Sequence, residues 1–208
     1  MSVLLADDHA MFRQSLRALL EREGFEVVAE ASDGREAVRL ANTHRPRVVV
    51  LDFSMPLLNG IEAARQIRKR APQSATILLT MFEEDDYVLG ALAAGVRGYV
   101  LKAQAAVDLV TAIREVANGA VYLSPGISSA LLDYHLHSDR AGEDPLTDRE
   151  RQVLQLVAEG KSMREAAGLL SVSVKTIESH RTRLMRKLDL HNTAGLVRYA
   201  IRRGLIRA

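Results

Sequence analysis

Two kinds of apolar spacing alternate over the first 124 residues. Short apolar runs stand at Val3-Leu4-Leu5-Ala6, Glu26-Val27-Val28-Ala29, Arg47-Val48-Val49-Val50-Leu51, Thr76-Ile77-Leu78-Leu79 and Gly98-Tyr99-Val100-Leu101. Between and after them, apolar residues recur at helical spacing. They are Phe12, Leu16, Leu19 and Leu20; then Ala37, Val38 and Leu40; then Ile61, Ala64 and Ile67; then Val88, Leu89, Leu92 and Ala93; and last Val107, Val110, Ile113 and Ala117. Continuous or period-two runs signal strands, and a period near 3.6 signals helices. Five strands alternating with five helices predict a five-stranded parallel sheet, doubly wound, with helices on both faces.

The pattern changes after residue 120. Val121-Tyr122-Leu123 is apolar, Pro125 can start a short helix through Leu132, and His135 to Asp144 is polar. This reads as a linker over 121–145. His135 and His137 do not complete a metal shell by themselves. From 146 onward everything is helical. Thr147 and Glu150 form a capping box for a helix that stops at Gly160. Ser162 caps a second helix through Leu170, and Ser171-Val172-Ser173 is a tight turn. A third helix runs from Val174 to Leu188, and Asn192 caps a fourth that ends at Gly204. The chain therefore divides into a sheet domain over 1–120, the linker, and an all-α domain over 146–208.

Composition narrows the chemistry. There is no Cys, so disulfides, thiolate metal sites and Cys nucleophiles are excluded. No apolar run reaches the ~18 residues of a membrane span. The first residues carry acids and no basic stretch, unlike a secretory signal. A cytoplasmic location is the expectation. The net charge of +2 hides an asymmetry. Residues 1–124 carry 14 Lys/Arg against 16 Asp/Glu, and 145–208 carry 13 against 6. A basic helical module behind a slightly acidic head points to a polyanion partner.

In an open parallel sheet, ligands gather beyond the carboxyl ends of the strands. Asp7 and Asp8 follow the first strand, Asp52 the third, Thr80 the fourth and Lys102 the fifth. Asp7 and Asp8 alone could equally cap the first helix. Taken with the other strand ends, they form an acidic pocket. Carboxylates brought together repel unless a cation joins them, and hard oxygen ligands suit Mg²⁺. An Asp beside that ion is a feasible nucleophile for phosphoryl transfer, with a lysine and a threonine hydroxyl for the phosphoryl oxygens.

These residues, with the VVVLDFSMPLLNG stretch around Asp52 and with Tyr99, resemble the receiver domain of two-component response regulators. The resemblance covers residues 1–120 and implies a flavodoxin-like fold. It implies that Asp52 accepts a phosphoryl group from a sensor histidine kinase. Asp8 would ligate Mg²⁺ directly, Asp7 through water, and Ser54 through its backbone carbonyl. Thr80 would move toward the phosphoryl group, Tyr99 would follow inward, and Lys102 would pair with a phosphoryl oxygen. Tyr99 also has a plain reading as a core residue. Pro56 and Gly60 shape the loop after the nucleophile. Two departures matter. Ala103 follows Lys102 where many receivers have Pro, so no cis bond is expected there. Phe82, with Ser54, borders the path of attacking water and predicts a long-lived phosphoryl state.

In the basic module, helix, three-residue turn and helix make a helix-turn-helix pattern. On a wheel through Ile177, the residues Val174, Leu184 and Leu188 share the inner side. Lys175, Glu178, Ser179, Thr182 and Arg186 share the outer one, with Arg183 at its edge. Such a face fits a DNA major groove. Leu146-Thr147-Asp148-Arg149-Glu150, Ala158 to Ser162, Val174 to His180 and Met185 to Leu188 resemble the C-terminal domain of NarL/FixJ (LuxR-type) regulators. The resemblance implies a recognition helix at 174–188. Glu178, Ser179 and Thr182 would meet base edges, and Lys161, Lys175, Thr176, Arg181 and Arg183 would meet phosphates. Leu196, Val197, Ala200 and Ile201 would pair with a twin in a homodimer, or pack within the monomer. His180 reads as structural or phosphate-binding. Ala166 and Gly168 depart from the family's usual larger aliphatic and Glu.

Together these features predict a phosphorylation-controlled transcription regulator, not an enzyme, with a histidine kinase and double-stranded DNA as partners. The unphosphorylated receiver covers the recognition helix in some relatives. The enzymatic alternative is a Mg²⁺-dependent phosphatase built on Asp52. Its usual second acid, two residues on, is replaced by Ser54. A third reading is a DNA-binding protein with a vestigial receiver.

Overall fold

The computed structural model describes residues 1–81, 85–125, 127, 146–190, 192–202 and 205–206. The chain forms two compact units, Met1–Ser138 and Asp139–Ala208.

In the first unit the strands are β1 (Ser2–Ala6), β2 (Glu26–Ala31), β3 (Val48–Asp52), β4 (Ala75–Thr80), β5 (Gly98–Leu101) and β6 (Tyr122–Leu123). The helices between them are α1 (Ala10–Arg22), α2 (Gly34–His44), α3 (Gly60–Arg70), α4 (Asp85–Ala94) and α5 (Ala105–Ala117). The sheet is parallel throughout, in the order β2-β1-β3-β4-β5-β6. Side chains of consecutive strand residues point to opposite faces. Leu4, Val49, Leu51 and Leu78 therefore enter one buried cluster with residues of α2, α3 and α4. Val3, Leu5, Val48, Val50, Ile77 and Leu79 enter the other, with α1 and α5. This double burial is why the central strands read as unbroken apolar runs. Side-chain caps fix two helix starts. Asp33 accepts from the N–H groups of Arg35 and Glu36, and Asn59 from that of Glu62.

The sheet has six strands, where the apolar runs predict five. Tyr122–Leu123 lies beside Gly98–Tyr99. Its bonds are main-chain ones: Tyr122 N–H donates to the Arg97 carbonyl and Ser124 N–H to that of Tyr99, both at 2.9 Å. A two-residue strand leaves no side-chain period, so it reads as the start of a linker. The helix predicted from Pro125, together with His135 and His137, lies outside the described residues.

The second unit contains α6 (Asp148–Ala158), α7 (Met163–Leu170), α8 (Val174–Lys187) and α9 (Thr193–Arg202). Thr147 with Glu150 and Ser162 with Glu165 form complete capping boxes. Ser171 takes a left-handed conformation after α7, and Ser173 caps α8 through the Thr176 N–H. Asn192 accepts from the Gly195 N–H at 2.8 Å at the start of α9. The predicted stop at Gly204 lies outside the described residues. Val153, Leu154, Leu156, Ala166, Ile177, Leu184, Leu196 and Ala200 are fully buried. α6 packs on both α8 and α9. The Lys187 ammonium lies 2.6 Å from Glu150, tying α8 to the start of α6. Burial by itself would raise the Glu150 carboxyl's pKa. Lys187, with the amide and hydroxyl of Thr147, outweighs that, so it lies below the usual carboxylate range.

Gly168 sits exposed within α7, and a Cβ there would meet nothing within 4 Å. Nothing in the packing requires glycine. Gly168→Ala should stabilise the unit by about 0.5–1 kcal/mol. A rise in the melting temperature of the full chain checks this. Unchanged or lower stability would mean that the backbone at 168 needs the glycine.

Candidate functional site

The strand register alone assembles the predicted pocket. Ala6 is paired with Leu51, so Asp7 comes level with Asp52. Asp52 is paired with Leu79 and Thr80 with Leu101, which brings Thr80 and then Lys102 to the same rim. The Lys102 ammonium lies 2.7 Å from Asp7 Oδ2 and 2.9 Å from Asp52 Oδ1. Asp7, Asp52 and Thr80 are almost wholly buried, whereas Asp8 is exposed. The Phe12 ring lies under the ammonium, 4.8 Å from it to the ring centroid, and narrows where it can point.

His9 joins this group, which the sequence reading did not foresee. Its backbone N–H donates to Asp7 Oδ1 at 2.8 Å, and its Nδ1 lies 2.8 Å from Asp8 Oδ1. One oxygen each of Asp7, Asp8 and Asp52 and a ring nitrogen of His9 lie within 4.8 Å of one another. The signal was its place directly after two acids. The structure also tests the helix-capping alternative. The N-cap of α1 is His9 itself, whose side chain makes no capping bond; Asp7 reaches only the N–H of that cap residue, and its other oxygen faces Lys102.

Two carboxylates at such a separation repel by about 3 kcal/mol at an effective dielectric constant near 20. One lysine offsets only part of the charge of three acids. The pocket can therefore hold a metal ion, and its mainly carboxylate donors suit a hard one.

The loop after Asp52 is held close to the site. Gly60 N–H donates to the Phe53 carbonyl at 2.9 Å. A Cβ on Gly60 would come within 2.3 Å of the Asp52 carbonyl oxygen, so no side chain fits there. Leu57, next to Pro56, has φ +66°, a strained conformation for a branched residue. Ser54 is half-buried. Tyr99 is 1% exposed and sits inside the core. Lys102 opens a single 3₁₀ turn through Gln104, and no cis peptide occurs among the described residues. Phe82 lies outside them.

In the second unit the outer face of α8 is as the wheel places it. Lys175, Glu178, Ser179, Thr182, Arg183 and Arg186 are exposed, while Ile177 and Leu184 are buried. Val174 differs: at 38% exposure it does not face the core, because it stands in the first turn, where α8 leaves the bundle. Lys161, Thr176 and Arg181 are half-buried. Some donors are partly engaged. Thr182 Oγ1 donates to the Glu178 carbonyl, Thr176 shares a hydroxyl contact with Ser173, and Arg181 donates to Thr193 Oγ1. His180 is half-buried. Burial, then the charges of Arg149 and Arg183, hold its pKa below the ordinary imidazole value, so it is neutral at pH 7. That favours its structural role. On α9, Leu196 and Ala200 are fully buried within the unit. Val197 and Ile201 are half-buried and keep surface for a partner.

Comparison with known proteins matches both units. Residues 3–114 match the response regulator receiver domain, and residues 144–200 match the bacterial regulatory proteins of the luxR family. The chain is a LuxR-type response regulator. It is 38% identical to the transcriptional regulatory protein LiaR of Bacillus subtilis over 98% of both chains. It is 37% identical to the oxygen regulatory protein NreC of Staphylococcus haemolyticus over 99% of both. Among solved structures, RcsB of Salmonella enterica serovar Typhimurium, bound to promoter rprA in the presence of a phosphomimetic, aligns with a TM-score of 0.62. The identity is 29%, over 96% of this chain and 97% of that one. This LuxR-type regulator thus carries its acidic pocket in the receiver and its helix-turn-helix in the luxR-family domain. It is a transcriptional regulator, not an enzyme. No described helix is long and apolar enough to cross a membrane.

Proposed function

We propose that this regulator takes a phosphoryl group onto Asp52 from a sensor histidine kinase, and that the modification switches dimerisation and binding of double-stranded DNA by α8. The observation that carries the proposal is the Lys102 ammonium bridging Asp7 and Asp52 in a buried acidic pocket. An Asp52 oxygen attacks the phosphorus of a phosphohistidine. The P–N bond breaks, the imidazole keeps the electron pair and takes a proton, and an acyl phosphate remains. Asp7, Asp8, Asp52 and the Ser54 carbonyl would hold Mg²⁺, which when bound neutralises charge on the phosphoryl oxygens. Lys102 would move from Asp7 and Asp52 onto a phosphoryl oxygen, and Thr80 would donate its hydroxyl to another. Tyr99, already inside the core, would lock that arrangement from within. Lys161, Lys175, Thr176, Arg181 and Arg183 would meet DNA phosphates, and Glu178, Ser179 and Thr182 base edges. Of the four α9 residues, Val197 and Ile201 have surface left for a twin.

The full chain incubated with acetyl phosphate and Mg²⁺ should gain the mass of one phosphoryl group, and EDTA should prevent the gain. An unmodified mass with Mg²⁺ present would refute the Asp52 reading and favour the vestigial receiver. Steady release of phosphate from a generic phosphate ester would instead favour the phosphatase.

A further inference from the structure

A second polar cluster lies on the far side of the β5 end from Asp52. Ser124, just past β6, is fully buried, and Asp108, in the first turn of α5, is 8% exposed. The Ser124 hydroxyl donates to Asp108 Oδ2 at 2.6 Å and accepts from the Leu101 N–H at 3.2 Å. The Ser124 N–H donates to the Tyr99 carbonyl at 2.9 Å. Tyr122 also hydrogen-bonds Asp108. Burial first, then the Asp108 charge, push its phenol up to about 12, so at neutral pH it is protonated. Farther along, Ile127 N–H donates to the Ser124 carbonyl, and Ile127 is buried in the core.

These bonds have a direction. Leu101 immediately precedes Lys102, and Tyr99 lies two residues before Leu101. One serine thus binds the main chain of β5 at both residues flanking Val100. It does so from the segment that leaves the receiver toward the second unit. A carboxylate is costly to bury without partners, so a buried Asp that accepts from two hydroxyls is held in one place. The hydroxyl it orients is the one the Leu101 N–H uses. Lys102 therefore has two constraints: the acids and the Phe12 ring at its ammonium, and Ser124 on the N–H of the residue before it, Leu101.

We infer that Ser124, oriented by Asp108, is a positioning residue for Lys102, and that through it a change at Asp52 reaches the chain leading to the DNA-binding unit. The inference rests on the Asp52 reading above. Movement of Lys102 onto a phosphoryl group pulls on Leu101. The Leu101–Ser124 bond passes that pull to Ser124 and, through its carbonyl, to Ile127, while Asp108 holds the hydroxyl in register.

The test uses the full chain, with two readouts. One is the rate of phosphorylation by acetyl phosphate. The other is the ratio of DNA affinities with and without phosphorylation. Ser124→Ala should slow phosphorylation and shrink the affinity ratio, each by about fivefold, the worth of one buried hydrogen bond. Asp108→Ala should do the same. Asp108→Asn keeps an acceptor for the serine hydroxyl and should restore both. A merely structural role would lower both DNA affinities together and leave their ratio alone. A wild-type rate and ratio in Ser124→Ala overturn the inference. A wild type that takes no phosphoryl group at all overturns the Asp52 reading, and this one with it, so the two failures are told apart. Hydrogen exchange on the wild type gives an answer that needs no variant. Phosphorylation should raise protection of the Leu101 amide by about fivefold, and unchanged exchange there overturns the inference.

Discussion

Asp52→Asn should bind its DNA site with the same affinity whether or not acetyl phosphate is present, while the wild type gains at least about tenfold. Asn has the shape of Asp and keeps an oxygen that can accept from Lys102, so the buried pocket survives the change. What it lacks is a carboxylate able to form an acyl phosphate. Lys102 retains its second partner, Asp7, at 2.7 Å, so the variant should rest in the unmodified arrangement. Coupling between two sites in one protein is typically worth about 1–3 kcal/mol, or about 5–150-fold in affinity. Tenfold lies inside that range and is resolved by fluorescence anisotropy on a site selected from random DNA. A variant that still responds to acetyl phosphate would place the phosphoacceptor elsewhere and remove the basis for the mechanism.

The pocket behind that prediction was legible because strand ends are legible. A buried parallel strand reads as an apolar run, and the first polar residue after it marks the rim. Asp7, Asp52, Thr80 and Lys102 all stand at such strand ends, and the pairing of Ala6 with Leu51 and of Thr80 with Leu101 brings them level. Tertiary pairing was not legible. β6 pairs with β5 through main-chain bonds, which leave no trace in residue type. Ser124 and Asp108 stand 16 residues apart and meet only because α5 folds back along the sheet. His9 stands directly after the two acids, but nothing in its spacing separates it from an ordinary residue at the start of a helix. On α9, periodicity shows that Leu196 and Ala200 share a face. It cannot show whether that face meets its own unit or a twin. Burial assigns both to the unit and leaves Val197 and Ile201 nearer the surface.

The same separation of face from target governs α8, where the second large effect is expected. Its outer side chains divide by chemistry. Lys175 and Arg183 are exposed cations, and a phosphate contact made by either carries no sequence information. Replacing both with Ala should weaken binding to every DNA sequence alike. It should also reduce the steepness of log K against log salt by about 1.8, since each neutralised phosphate contributes about 0.9. Glu178 is exposed too, but a carboxylate gains nothing from the phosphates. It can accept from the amino group of cytosine in the major groove. Glu178→Ala should therefore leave the salt dependence unchanged and relax the preference at one base pair, a change worth about 1–3 kcal/mol. The side chain is free to do this. Among the described residues no hydrogen bond or ion pair holds its carboxylate, and its main-chain carbonyl accepts from the Thr182 hydroxyl. Arg181 serves as the contrast. Its guanidinium donates to Thr193 at the start of α9, so Arg181→Ala should lower the thermal stability of the unit as well as the affinity. Titrations of the three variants at several salt concentrations on matched and mismatched sites separate these effects. A double variant of Lys175 and Arg183 with an unaltered salt slope would mean that α8 does not lie along the DNA backbone. The recognition face would then have to be sought elsewhere on the unit.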